Sequence, residues 1–245
     1  MGQILEVTNL CVYYAEKAHL GRWKGNKKQI CRNISFRMEE GEILGLLGES
    51  GCGKSTLAKT ILGMNREYTG IVRHFTEHPQ MVFQDPYSSL NPVKKIGWIL
   101  EEPLRIKGGY SKTERYQKVI EMLEKVGLDA KFAKRYPDQL SGGQRQRVSI
   151  AAALMLEPKL LIADEPVSAL DVTIQAQIIR LLLELHRDMG LAILFISHDL
   201  RVVYQMCDHV MVMKSGEILE SGAIAEVYHN PQHPYTKLLT ESAGI

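Results

Sequence analysis

Nine consecutive residues constrain this chain more than any other stretch. Gly48-Glu49-Ser50-Gly51-Cys52-Gly53-Lys54-Ser55-Thr56 fits the pattern G-x-x-x-x-G-K-[ST]. Residues 42–47, just before it, form a short apolar run that reads as a buried strand, and residues 54–62 show helical periodicity. A strand that turns through glycines into a helix start is an anion site. Glycines let successive backbone N–H groups point inward around phosphates with no Cβ in the way, and the helix adds the positive end of its dipole. Lys54 is placed to neutralise β- and γ-phosphates, and Ser55 to offer a hydroxyl to Mg²⁺. Residue usage alone would produce the pattern in about one chain in a hundred of this length, and less often in this strand–helix setting. The expected phosphate-binding set is therefore Gly48, Ser50, Gly51, Cys52, Gly53, Lys54, Ser55 and Thr56.

Leu160-Leu161-Ile162-Ala163-Asp164-Glu165 supplies a second half. An apolar strand ending in Asp sets a carboxylate at the carboxyl edge of a sheet, where open α/β folds bind ligands. Asp164 is the expected Mg²⁺ residue, acting through the ion's water shell. Glu165 is the expected group that orients or deprotonates an attacking water.

The remaining pattern is α/β. Residues 4–14 and 30–38 alternate apolar and polar as half-exposed strands do, with a Gly- and Lys-rich loop expected at 19–28. From about 88 to 153 the periodicity is helical, with Ile96, Ile99, Leu100 and Leu104 on one face and Val119, Met122, Leu123 and Val126 on another. Two strand–helix units follow, at 160–163 into 174–186 and 191–196 into 200–207, which predicts a parallel sheet with right-handed crossovers. Residues 210–213 and 217–220, joined by Lys214-Ser215-Gly216, read as a hairpin.

Composition narrows the class. The 245 residues are 45% hydrophobic and 24% charged with a net charge of +2, an ordinary globular balance that demands no nucleic acid. Cys11, Cys31, Cys52 and Cys207 show no metal-ligand spacing and read as reduced thiols. The first nine residues mix polar and apolar side chains, unlike a signal peptide. The longest apolar runs are too short to span a bilayer, so work at a membrane would need a docking partner.

Leu140-Ser141-Gly142-Gly143-Gln144 resembles the signature sequence of ATP-binding-cassette (ABC) ATPases, which chance would give in roughly one chain in several thousand. Ser141 lies 23 residues before Asp164 (164 − 141), inside the helical region, as in that family. The resemblance covers nearly the whole chain. It implies a P-loop NTPase core with an N-terminal antiparallel β subdomain and an inserted α-helical subdomain: one domain, with 1–87 and 157–245 as core and about 88–156 as insertion. It implies that ATP and Mg²⁺ are bound, with ATP also meeting Ser141, Gly142, Gly143 and Gln144 of a second ATPase subunit. Gln84 resembles the hinge glutamine that senses Mg²⁺ and water. Asp171, in Ser168-Ala169-Leu170-Asp171, resembles part of the loop that crosses the dimer interface. His198 resembles the switch histidine at the γ-phosphate. Catalysis would then rest on Glu165, His198, Gln84 and Lys54. Tyr14 resembles the aromatic that stacks on adenine, with Tyr13 as its competitor on the opposite strand face.

Gln84-Asp85-Pro86-Tyr87-Ser88-Ser89-Leu90-Asn91-Pro92 and Asn230-Pro231-Gln232-His233-Pro234-Tyr235-Thr236 resemble the di-/oligopeptide and nickel importer group. That implies an ATPase on the cytoplasmic face of the membrane, paired with itself or with a sibling. It would dock on two permease subunits and be served indirectly by an extracellular solute-binding protein. Two departures stand out. The 70–84 segment is short for that group, so the β subdomain is expected to lack a strand pair. The chain also ends soon after Leu239, which shifts weight towards nickel or a metal chelate over peptide. The rival class is a soluble ABC ATPase of translation or DNA repair, which the single cassette and absent heptad run disfavour.

Overall fold

A computed structural model describes residues 2–15 and 27–243. The chain begins with β1 (Gln3–Ala15), β2 (Lys27–Glu39) and β3 (Ile43–Leu47), then α1 (Lys54–Ile61), β4 (Tyr68–His74) and β5 (Gln80–Val82). Helices α2 (Pro86–Ser89), α3 (Ile96–Lys107) and α4 (Lys112–Lys125) and two 3₁₀ turns lead to α5 (Gly142–Leu154). Next come β6 (Leu160–Asp164), α6 (Val172–Met189), β7 (Ala192–Ser197) and α7 (Leu200–Met206). The last elements are β8 (His209–Lys214), β9 (Glu217–Ala223), α8 (Ile224–His229) and α9 (Pro234–Ser242). They form two units, Met1–Thr76 with Ala192–Ile245, and Glu77–Leu191.

In the first unit, β1 is the middle strand of an antiparallel sheet ordered β2-β1-β4. Its buried residues do not alternate strictly: Leu5 and Val7 are followed by Leu10 and Val12. The register shifts between Val7 and Leu10, where Asn9 takes φ 49° and donates its N–H to Ser35 Oγ at 2.8 Å. This bulge returns the apolar residues to the core side. Lys27 and Lys28, expected in a loop, instead pair with Ala15 and Tyr14 as the start of β2. Residues 19–26 of that expected loop lie outside the described residues. The short 70–84 segment finishes β4, turns through 75–79 and enters β5.

The same unit holds β3 between β7 and β8, parallel to both, with Ile43 opposite Ile193 and Leu44 opposite His209. All of β3 and β7 is buried, which explains why both read as unbroken apolar runs. The expected hairpin joins β8 to β9 through Ser215 and Gly216, whose φ values of 49° and 86° match the twist of the flanking strands. The second unit pairs β5 with β6 in parallel and packs α2 to α6 beside them. Ile96, Ile99, Leu100 and Leu104 are buried, as are Val119, Met122, Leu123 and Val126, so both helical stripes fall on the core side. Arg145 is buried too. Its Nε donates to the Pro137 carbonyl at 2.5 Å, and its guanidinium lies 3.8 Å from the centre of the Tyr87 ring. No helix among the described residues is long and apolar enough to cross a membrane.

Candidate nucleotide site

The loop from Gly48 to Gly53 leaves the carboxyl end of β3, and its shape explains its glycines. A Cβ on Gly48 would sit 2.2 Å from the Met213 carbonyl oxygen, so the end of β8 excludes any side chain there. Gly53 caps α1 at φ 116°, a backbone region that L side chains rarely adopt, and no side chain caps the helix. A helix start without a side-chain cap leaves its first-turn amides to be satisfied by other means, and a bound anion is one of them. Lys54 is 4% exposed, and its Nζ donates to the Gly48 and Glu49 carbonyls at 2.7 and 3.0 Å. A cation held by the loop's own carbonyls above an uncapped helix start is the arrangement a polyphosphate would enter. Ser55, the second residue of α1, is half-buried.

Asp164 ends β6 and is 3% exposed, and Glu165 follows at 8%. Glu165 takes φ 46°, uncommon for a residue with a Cβ, and its carbonyl accepts from the N–H and hydroxyl of Ser168 at 3.3 and 3.1 Å. The turn aims its carboxylate at Gln84, whose Nε2 donates to Glu165 Oε2 at 3.2 Å. Two expected catalytic residues 81 positions apart (165 − 84) are thereby brought into one hydrogen bond. Among the described residues no group of three or more His, Cys, Asp or Glu side chains could hold a metal alone. Ser55 and Asp164 each carry a hard oxygen of the kind that suits Mg²⁺.

Ser141 caps α5 through a reciprocal box. Its Oγ accepts from the Gln144 N–H at 3.3 Å, and Gln144 Oε1 accepts from the Ser141 N–H at 3.1 Å. Gly142 and Gly143 form the first helical turn, where a Cβ on Gly143 would meet Ile174 Cγ2 at 2.7 Å. Asp171, expected to bind cofactor, caps α6 by accepting from the Ile174 N–H at 3.0 Å. Gln175 Nε2 donates to the Val167 and Leu170 carbonyls, both at 3.0 Å, and so braces the loop before Asp171. The sequence reading missed that brace, because a glutamine inside an amphipathic helix carries no local signal.

His198 is exposed just beyond β7. The next residue, Asp199, caps α7. Burial pushes its carboxyl up, but hydrogen bonds from the Arg201 side chain and amide outweigh this and hold it below the usual carboxylate range. Tyr14 is 43% exposed at the end of β1, while Tyr13 lines a shallow pocket with Lys27, Arg66 and Glu67. The cysteines are free thiols. Burial, with Cys52 and Cys11 nearby, pushes Cys31 up to about 12, and burial raises Cys207 and Cys52 as well. A groove of 690 Å³ opens beside Glu42, Leu44 and Asp208, at the opposite strand ends from the phosphate loop, and has no part in this chemistry.

The described fold agrees with what the chain resembles. A family model for ABC transporters matches residues 31–168. The dipeptide transport ATP-binding protein of Haemophilus influenzae is 46% identical, over 96% of this chain and 76% of its own length. The oligopeptide transport ATP-binding protein of Salmonella typhimurium is 45% identical over 99% of this chain and 78% of its own. That of Bacillus subtilis is 43% identical over the same shares. Among solved structures, a dimeric ATP-binding cassette in a post-hydrolysis state with ADP and Pi superposes with a TM-score of 0.77. It is 28% identical and covers 90% of this chain and 99% of that one. A putative metal-chelate type ABC transporter in an inward-facing conformation gives 0.78 at 26% identity, over 98% and 90%. The chain belongs to the ABC transporter family, and within it to the subunits that bind and hydrolyse ATP.

Proposed function

We propose that this chain drives uptake of di- or oligopeptides as a peripheral ATPase on the cytoplasmic face of a membrane, paired with a second ATPase and docked on two permease subunits. An extracellular binding protein would deliver the cargo. The observation that carries the cargo is the 43–46% identity, over nearly the whole chain, to proteins named for dipeptide and oligopeptide transport. The weight placed on nickel in the sequence analysis moves to peptide on that ground. The likeness to a metal-chelate type transporter is weaker, at 26% identity. No observation favours a soluble role in translation or DNA repair.

In this reading Lys54 leaves the Gly48 and Glu49 carbonyls for the β- and γ-phosphates, while the α1 amides hold the remaining phosphate oxygens. Bound Mg²⁺, held by Ser55 and Asp164, would supply charge neutralisation at the phosphates. Glu165 accepts the proton of the attacking water, and Gln84 fixes the orientation of that carboxylate. His198 meets the γ-phosphate, Tyr14 stacks on adenine, and Ser141 with Asp171 serves the partner's nucleotide. The test combines cargo and chemistry. In cells carrying Glu165→Gln, uptake of a labelled dipeptide should fall by roughly two orders of magnitude, the usual worth of a general base, while Ni²⁺ uptake stays normal. The reverse pattern would overturn the peptide reading, and normal uptake of both would overturn the role of Glu165.

A further inference from the structure

The second residue of the phosphate loop is an acid, which is out of place where a polyanion must land. Glu49 is exposed, and its carbonyl already serves Lys54. Behind the loop stands a wall built from the end of β8 and from α9. Met213 presses on Gly48, and the Lys214 ammonium lies 4.2 Å from the centre of the Tyr235 ring. Helix α9 is fixed in place by a chain of caps. Glu220 accepts from the Gln232 and His233 N–H groups at 2.8 and 3.0 Å, and His233 Nδ1 then accepts from the Tyr235 N–H at 3.0 Å. Pro234 starts the helix with the φ it requires. These bonds aim Tyr235 inward, where it is 5% exposed. Its hydroxyl is fully buried with no hydrogen bond of ordinary geometry to a described residue, and the polar groups that act on it are the amide and carboxylate of Glu49. Burial pushes the phenol up to about 12; the Glu49 amide acts against this, while the Glu49 carboxylate and Cys52 add to it.

We infer that Tyr235 is a positioning residue for the phosphate loop, whose hydroxyl ties Glu49 back from the incoming triphosphate. A buried hydroxyl with bonding capacity in reserve is costly unless some state of the protein uses it. The state in question is reached when Lys54 gives up the Gly48 and Glu49 carbonyls. The loop then loses its internal tie, and the Tyr235 O–H donates to the Glu49 carboxylate while its oxygen accepts from the Glu49 N–H. The late His-Pro-Tyr-Thr stretch thereby gains a physical role, since it delivers one donor to the second residue of a loop 186 positions earlier (235 − 49).

The inference rests on the phosphate-loop reading, and a double-mutant cycle separates the two. Full-length native protein, Tyr235→Phe, Glu49→Ala and the double variant are titrated with trinitrophenyl-ATP, with thermal melts recorded alongside. Failure of the native protein to bind the probe would overturn the phosphate-loop reading itself. Tyr235→Phe keeps the ring over Lys214 and should weaken binding roughly tenfold, the worth of one hydrogen bond to a charged group. Turnover at saturating ATP should fall far less, giving an effect in KM and not in kcat. The double variant should return to within about twofold of native affinity, since no carboxylate is left to restrain. Native affinity in Tyr235→Phe would overturn the inference. So would an equal loss in both backgrounds, which is what mere packing of α9 predicts.

Discussion

Two helices of this chain, α1 and α5, begin in glycine-bearing turns, and they prepare their N-termini in opposite ways. At α1 the cap is Gly53, no side chain closes it, and the helix opens on a buried lysine whose ammonium reaches back to the loop's carbonyls. At α5 the cap is Ser141, and its reciprocal bonds with Gln144 satisfy the turn from within. Both offer amide groups and the positive end of a dipole. Only α1 adds a full positive charge, and of the two only α5 has a side chain closing its first turn. In the proposed reading the first binds an anion on its own. The second is capped without one, and in the proposed reading it contributes when a partner subunit presents its nucleotide.

The sharpest way to break this comparison is Lys54→Ala. If α1 alone provides affinity, removing its charge should cost at least ~3 kcal/mol, roughly two orders of magnitude in Kd for ATP. The melting temperature without nucleotide should move little by comparison, because the ammonium's bonds to Gly48 and Glu49 are local to one loop. Isothermal titration gives the first quantity and a thermal melt the second. An ATP affinity within threefold of native would show that the two helix starts share the work.

Ser141→Ala should show the opposite signature. It removes the N-cap of α5, which typically costs about 1 kcal/mol of stability, while the affinity of the dilute, unpaired chain for ATP stays at its native value. Turnover should fall only at concentrations where chains pair. A drop in monomer ATP affinity larger than the drop in stability would mean that Ser141 touches its own chain's nucleotide.

The contrast between the two sites was only half legible in the sequence. Both motifs are contiguous, and each announces its element by local chemistry: glycines and lysine after an apolar run for one, a Ser–Gln pair three apart for the other. The Glu165–Gln84 bond and the inferred Tyr235–Glu49 pairing join residues 81 and 186 positions apart (165 − 84 and 235 − 49), and no periodicity reports such pairs. Lys27 and Lys28 misled for a related reason. Charged residues on an exposed strand look like loop until the pairing with Tyr14 and Ala15 is known. The late Asn-Pro-Gln-His-Pro-Tyr-Thr stretch was visible as unusual wording, but its function depends on which loop α9 faces, and that is set by the caps on Glu220.

Gly143 tests the comparison at its smallest scale. In the phosphate loop, glycine is required by a left-handed φ at Gly53 and by the Met213 carbonyl at Gly48. Gly143 lies inside the first turn of α5, where any residue fits the backbone, so its lack of a side chain must serve either packing or ligand approach. The structure supplies a packing reason: an added Cβ would lie 2.7 Å from Ile174 Cγ2 on α6. Gly143→Ala sets that overlap against the gain in helix propensity of up to ~1 kcal/mol, so the net change in stability should stay within about 1 kcal/mol. Turnover decides between the two reasons. If packing is the whole cause, Ile174→Ala in the Gly143→Ala background makes room and restores ATP hydrolysis to the level of Ile174→Ala alone. If the bare backbone is there so that a partner's phosphates can approach the amides, the methyl stays in their way whatever happens at Ile174. Hydrolysis should then remain low in the double variant while its melting temperature recovers. The composite site requires the second outcome, and full recovery of turnover would reduce α5 to a packing element.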